Sequence, residues 1–467
     1  MSQAHQPCHH AELQFNPSPH AAEAGFTWLP SVRRLAAATK MGRITPTVKA
    51  QAAATNGLTS SFPAPLVLPE DDLALDPKYP PQSFSSWVWL KERNRPTRSR
   101  RTLYVAAVPK ITSDVAFMDE WLRPETANSL VEYSQEGSET TPNDVMRELR
   151  PPACEDVIGY LSAFYHGISV KPFPQRLCFE SWQEPKSRSK PTRKKPKLDT
   201  QYVALATESN ATRIRVRPSP DGLFKGQLNL NDLLDATIEM LPEDAYSLML
   251  LIDHDMYEDE DDDFCCGRAY GGSRVAVVSS ARYHPVLDDG AGIEYSHIWP
   301  ASHCKSYVDK VCGIATSVAN QRTSDHPVTS GPSPLREAVD AARSTVVPTT
   351  AKGHRGLWFS RVARTVAHEL GHCLGMGHCV YYACSMQGTA SIAEDMRQPP
   401  YLCPVCLEKL AHVATVEIGR RDIDDRLTYV DERYEAIAAF CSGWADNGLF
   451  AGYMAWIRAR LNSRDHE

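Results

Sequence analysis

His368-Glu369-Leu370-Gly371-His372-Cys373-Leu374-Gly375-Met376-Gly377-His378 sets three imidazoles and one carboxylate at a spacing that a single metal ion can use. Val362, Val366 and Leu370 recur at i+4, and no Gly or Pro intervenes between Trp358 and Gly371. A helix is therefore expected from Trp358 to Leu374. On it, His368 and His372 stand one turn apart on the same face. Gly375 falls where the helix should stop. Lacking a Cβ, it can take the left-handed conformation that reverses the chain and brings His378 back as a third ligand. Three neutral imidazoles leave zinc a fourth position for water, whose pKa the metal can lower to roughly 7, and Glu369 is placed to accept the proton. Solvated or core histidines on an ordinary helix would not require the third His and the Gly at these positions.

Downstream, Cys379 directly follows the third His and Cys384 lies five residues on. Met386 completes a Cys-Ser-Met triplet, and Cys403-Pro404-Val405-Cys406 is a CxxC. This order, from about Val366 to Cys406, resembles the archaemetzincin (archaelysin) family of metzincin zinc metallopeptidases. Asp253-His254-Asp255-Met256-Tyr257 and Arg274-Val275-Ala276-Val277-Val278-Ser279 resemble it more loosely. One residue fewer than in the family pattern separates Met386 from Cys403, a deletion that a loop can absorb. The resemblance implies a second, structural zinc on Cys379, Cys384, Cys403 and Cys406. Two short-spaced cysteine pairs suit a closed tetrahedral thiolate site, with disulfides or free buried thiols as the alternatives. It also implies that Met386 packs beneath the catalytic metal without binding it. The segment from Arg274 to Ser280 would be the cleft's edge strand, pairing with substrate backbone. Cys373 is expected as a buried helix residue.

The fold so implied is α/β (α+β): a metzincin-like mixed twisted sheet with an active-site helix, C-terminal helices and long irregular insertions. The implied function is hydrolysis of peptide bonds in a peptide or protein substrate, with Glu369 as general base and two zinc ions per chain. A second class is a catalytically silent, zinc-stabilised interaction protein whose insertions block the cleft. Glu369 favours the enzyme, because a purely structural site has no use for a carboxylate beside an open coordination position.

With 467 residues and 34 prolines, the chain is read as one catalytic domain, residues 83–467, behind a disordered leader, residues 1–82. It carries a basic insertion near 183–200 and an irregular one near 286–353. A net charge of −7 makes nucleic acid an unlikely overall partner. The basic runs Arg93 to Arg101 and Lys186 to Lys197 could act locally; the second is read as a solvated surface insertion, without interleaved aromatics for stacking, with a nuclear import signal or an RNA-binding loop as the alternatives. No run of 18 apolar residues and no signal-peptide h-region occur, and 13 cysteines fit a reducing compartment, so a cytoplasmic or nuclear location away from membranes is expected. Strands are expected at Tyr104 to Val108, Gln201 to Ala206, Arg213 to Arg217 and Ser247 to Ile252, in one mixed sheet, with a helix from Asn231 to Leu241 capped by Asn231. The acidic run Asp253 to Asp263 is read as an exposed loop. His297, His303, Cys304 and Cys312 match no zinc spacing, and Ile423 to Phe440 and Phe450 to Leu461 are read as C-terminal helices behind the active site.

Overall fold

The computed structural model describes residues 8–54, 61–125, 149–182, 201–314, 332–345, 348, 350–419 and 426–464. Two mixed sheets carry it. The first orders β10 (Gly267–Tyr270), β11 (Val275–Ser279), β8 (Ala245–Ile252), β1 (Thr102–Ala106) and β3 (Ser169–Pro172); β10 is antiparallel to β11, and the other pairs are parallel. The second orders β2 (Lys110–Ile111), β4 (Cys178–Ser181), β5 (Gln201–Ala206), β6 (Ala211–Arg217), β7 (Gln227–Asn229) and β9 (Asp255–Tyr257).

The longer helices are α1 (Cys154–Phe164), α2 (Leu230–Glu239), α3 (Pro334–Arg343), α4 (Ala351–Cys373), α5 (Arg426–Ser442) and α6 (Gly448–Arg464). β8 and β11 are buried along their whole length, as parallel strands covered on both faces must be. Their side chains alternate between two cores. Met249, Leu251, Ala276 and Val278 join Val362, Val366 and Leu370 of α4. Leu248, Leu250, Val275 and Val277 join α2 and the second sheet. The zinc-motif helix thus lies on one face of a central sheet, with the two C-terminal helices in the same core.

The expected mixed architecture is present, with several corrections. The strands divide over two sheets: β1 and β8 pack into the central sheet, whereas β5 and β6 pair antiparallel and only Ile214 and Val216 of β6's seven residues are buried. Helix α2 is capped by Asn229, whose side chain accepts from Asp232 N at 3.1 Å, while the Asn231 amide donates to Glu258 O at 3.0 Å. Part of the acidic run is interior. Asp255 is fully buried in β9 and paired with the Arg282 guanidinium at 2.5 Å, which neutralises a charge that could not otherwise be buried.

The region 286–353 is more regular than expected. It contains Lys305–Val311 and α3, and α3 packs on α6. Asp288 accepts two 2.7 Å bonds from the buried Arg361 of α4, fastening the segment to the back of the motif helix. The basic insertion at 183–200 lies outside the described residues. In the other basic run, Arg93 is buried, paired with Glu417 and laid over the Trp87 ring.

The reading of residues 1–82 as a disordered leader is also corrected, for residues 8–54 and 61–82. They have too few apolar side chains for a core of their own, but each finds a partner surface on the main body. Leu13 and Phe15 pack with Leu335 and Val339, Leu66 and Leu68 with Val308, and Phe26, Val67 and Leu73 with Val380. Phe62 enters the main core against Tyr401 and Trp456. Among the described residues no helix is long and apolar enough to cross a membrane.

Candidate active site

Helix α4 starts at Thr350, whose hydroxyl accepts from Gly353 N at 3.1 Å, and runs through His368, Glu369 and His372 to Cys373. Gly375 has φ +78°. Its N–H donates to His372 O at 2.9 Å and the Met376 N–H donates to Gly371 O at 3.1 Å, the paired bonds of a glycine-terminated helix end. The reversal brings His378 back, so that one nitrogen from each of His368, His372 and His378 lies within 4.8 Å of the others.

The protonation pattern fits a cation. His368 Nδ1 is bonded to Ser385 O and His372 Nδ1 to Met376 O, each at 2.7 Å. Backbone carbonyls only accept, so both Nδ1 atoms carry hydrogen and both Nε2 atoms present lone pairs. Those two Nε2 atoms face each other at 2.9 Å, a contact that is repulsive unless a cation or proton lies between them. Burial, and then the neighbouring imidazoles, hold the His368 and His372 rings below their ordinary pKa, toward the neutral ligand form. Met386 sits directly under the helix: a Cβ on Gly371 would come within 2.4 Å of its Sδ. Gly371 therefore leaves room for the sulfur beneath the metal-binding face.

Glu369 is 7 % exposed. Without a metal, burial pushes its carboxyl up to about 8, opposed by the Arg268 guanidinium; a dication beside it would draw the pKa down again. β10 runs across the helix here. A Cβ on Gly271 would lie 2.5 Å from His372 O, and one on Gly267 3.4 Å from Glu369 Cγ. The edge strand is therefore β10. The expected segment, β11, is interior, paired on one side with β8 and on the other with β10, because the chain turns back at Gly271 and Gly272 and adds β10 outside it. The imidazoles, Glu369 and β10 line one open cleft of about 1040 Å³.

Behind the reversal, the sulfurs of Cys379, Cys384, Cys403 and Cys406 lie within 4.8 Å of one another, all buried. Cys379 and Cys403 are 3.5 Å apart, near the roughly 3.8 Å that a tetrahedral zinc with bonds of about 2.3 Å sets between two sulfurs. Cys384 Sγ accepts from Met386 N at 3.5 Å and Cys403 N at 3.2 Å, donors that favour a thiolate. Cys373 is 1 % exposed, on the core side of the helix.

The family model for Peptidase family M54 matches residues 338–412, which include all of these histidines and cysteines. Mouse archaemetzincin-2 is 25% identical over 263 residues, 56% of this chain and 54% of that protein. Human archaemetzincin-1 is 50% identical over 50 residues, 11% of this chain and 10% of its own. The chain's motif segment is thus similar to that of the archaemetzincins. The chain spans about half the length of the mouse and rat archaemetzincin-2 proteins it matches. The crystal structure of archaemetzincin from Methanopyrus kandleri is 17% identical, covering 68% of this chain and 96% of that one, with a TM-score of 0.30.

Beyond the archaemetzincin signature, the site uses residues that sequence reading missed because they lie some 300 positions away. Gln82 Oε1 accepts from Gly377 N at 2.9 Å and from the buried Lys409 Nζ at 2.7 Å, and its amide donates to Gly375 O at 3.0 Å. It thereby clamps the turn that presents His378. Tyr79 packs its ring on His378 with centroids 5.4 Å apart. Asp72 approaches the same imidazole, separated from it by Gly388, whose missing Cβ would meet both. No local pattern marks any of the three.

Proposed function

We propose that this chain is a zinc metallopeptidase. His368, His372 and His378 hold the catalytic ion, Glu369 acts as general base, and Cys379, Cys384, Cys403 and Cys406 hold a structural zinc. The observation that carries the reading is the pair of Nε2 lone pairs held face to face by carbonyl-bound Nδ1 atoms, with a buried carboxylate in the same cleft. Zinc, when bound, supplies Lewis-acid polarisation and makes water acidic near neutral pH.

The remaining work falls to the chain. The carbonyls of Ser385 and Met376 keep both rings in the ligand tautomer. Glu369 takes a proton from the attacking water and can return it to the leaving amine, since a carboxyl in a dry site holds a proton more readily than one in solvent. The free edge of β10 offers backbone N–H and C=O groups to an extended peptide, which fixes the scissile bond near Glu369. The thiolate cluster anchors the loop carrying His378 and Met386. None of the described residues of 286–353 lines the cleft, which supports the enzyme over a silent protein with a blocked site.

Glu369→Gln tests this. Zinc content and melting temperature should stay near wild type while peptide hydrolysis falls by about two orders of magnitude or more, the usual share of general base catalysis. Hydrolysis at the wild-type rate would refute the assigned mechanism. Zinc binding with no hydrolysis in either protein would favour the silent alternative.

A further inference from the structure

We propose a third metal site, held by Cys8, His297 and Cys304, that clips the N-terminal segment to the region after β11. The three donors come from parts of the chain up to 296 residues apart, yet one ligand atom from each lies within 4.8 Å of the others. Cys8 Sγ and Cys304 Sγ are 3.6 Å apart, close to the 3.5 Å of the Cys379 and Cys403 pair and to tetrahedral zinc geometry. Both are far outside the roughly 2.05 Å of a disulfide.

The independent observation is His297. It is 6 % exposed, and its Nε2 is buried with no hydrogen-bond partner. Its Nδ1 is bonded to Glu294 Oε1 at 2.9 Å, and its ring stacks on Tyr307 with centroids 4.3 Å apart. A histidine whose Nδ1 is locked by a carboxylate while the other nitrogen stays free has the arrangement that metal-bound histidines adopt. An orphaned buried imidazole nitrogen otherwise costs about 1 to 3 kcal/mol. His10 packs edge-on to the His297 ring at 5.3 Å and its Nε2 is bonded to Ser296 O at 2.8 Å, closing that side of the imidazole.

Two thiols and an imidazole select a borderline-soft divalent ion, and zinc is the default. Such a site joins two strips of chain already side by side: Gln14 N donates to His303 O at 2.8 Å and Lys305 N to Glu12 O at 2.9 Å. Its role is therefore structural, holding in place the segment that carries Asp72, Tyr79 and Gln82 to the cleft. His303 takes no part, since its Nε2 is bonded to Ala64 O at 3.0 Å.

The test compares full-length wild type, Cys8→Ser and Cys304→Ser, expressed with zinc and purified without chelator, by elemental analysis and intact mass under non-reducing denaturation. Each variant should hold about one zinc fewer than wild type, keep the zinc of the other sites and still cleave peptide, and wild type should show both thiols free. Cys8 is partly exposed at the start of the described chain, so Cys8→Ser reads the site even if Cys304→Ser misfolds. Cys8→Ser with wild-type zinc content, or a wild-type mass lighter by two hydrogens with Cys8 linked to Cys304, would overturn the site. Because the readout is a difference between proteins, it stands whatever the occupancy of the histidine and four-cysteine clusters.

Discussion

Gln82→Ala is the sharpest probe of how the N-terminal segment serves the active site. The substitution removes one neutral bond to Gly377 N, one to Gly375 O and one charge-assisted bond to Lys409 Nζ. Neutral bonds contribute about 1 kcal/mol each and the charged one about 2. Lys409 is only 1 % exposed and keeps a single bond, to Gln82 O at 2.8 Å. Gln82 itself is half-buried, so water recovers part of the loss and a net cost of about 2 to 3 kcal/mol is expected. For a chain of this size that corresponds to a fall in melting temperature of about 2 to 3 °C. Because Gly377 precedes His378, zinc affinity at the histidine cluster should fall by about tenfold or more. Gln82→Glu keeps an acceptor for Gly377 and Lys409, and should recover most of both losses. Thermal unfolding with and without zinc, plus competition against a chromogenic chelator, measures the two effects. A Gln82→Ala protein melting within about 1 °C of wild type, with unchanged zinc affinity, would refute the clamp.

A chain starting at Ser83 should give little soluble protein, or melt well below wild type, because the Phe62 seat against Tyr401 and Trp456 would be exposed and Gln82 lost; normal yield and melting would show that the packed segment is dispensable. Cys403→Ser should give aggregated or protease-sensitive protein, since a closed thiolate site contributes folding energy directly, and an unaltered melting curve would remove the structural role. For pH, burial holds His254 at about 4 against the usual 6.5, opposed by its bond to Met118 O. Between those values the unfolded chain binds a proton that the native chain does not, so this contribution is complete above pH 6.5 and is lost as pH falls toward 4. His254→Leu should therefore make the dependence of unfolding free energy on pH shallower by about 1.4 kcal/mol per pH unit within that window, and an identical slope in urea titrations would show that His254 does not report burial.

The motif helix, its glycine stop, the metal-ligand candidates and the C-terminal helices could be read from the chain because each depends on residues within a few turns of one another. Spacing at 3.6 residues per turn places His368 over His372, and a glycine at the helix end returns His378. The strands were legible for the same reason, but their partners were not. Whether β11 or β10 forms the cleft's edge depends on which strand is added last across space. What only tertiary structure decided follows from contacts between distant residues of unremarkable type. The N-terminal residues looked disordered because they hold too few apolar side chains for a core of their own, a criterion blind to a core supplied by Tyr401, Trp456, Leu335 and Val380. Asp255 looked solvated in its acidic run until Arg282 was placed against it. Cys304 and His297 matched no spacing because their third partner is Cys8. Local periodicity determined the chemistry at the heart of the site, and long-range packing of otherwise ordinary residues decided what holds it in place.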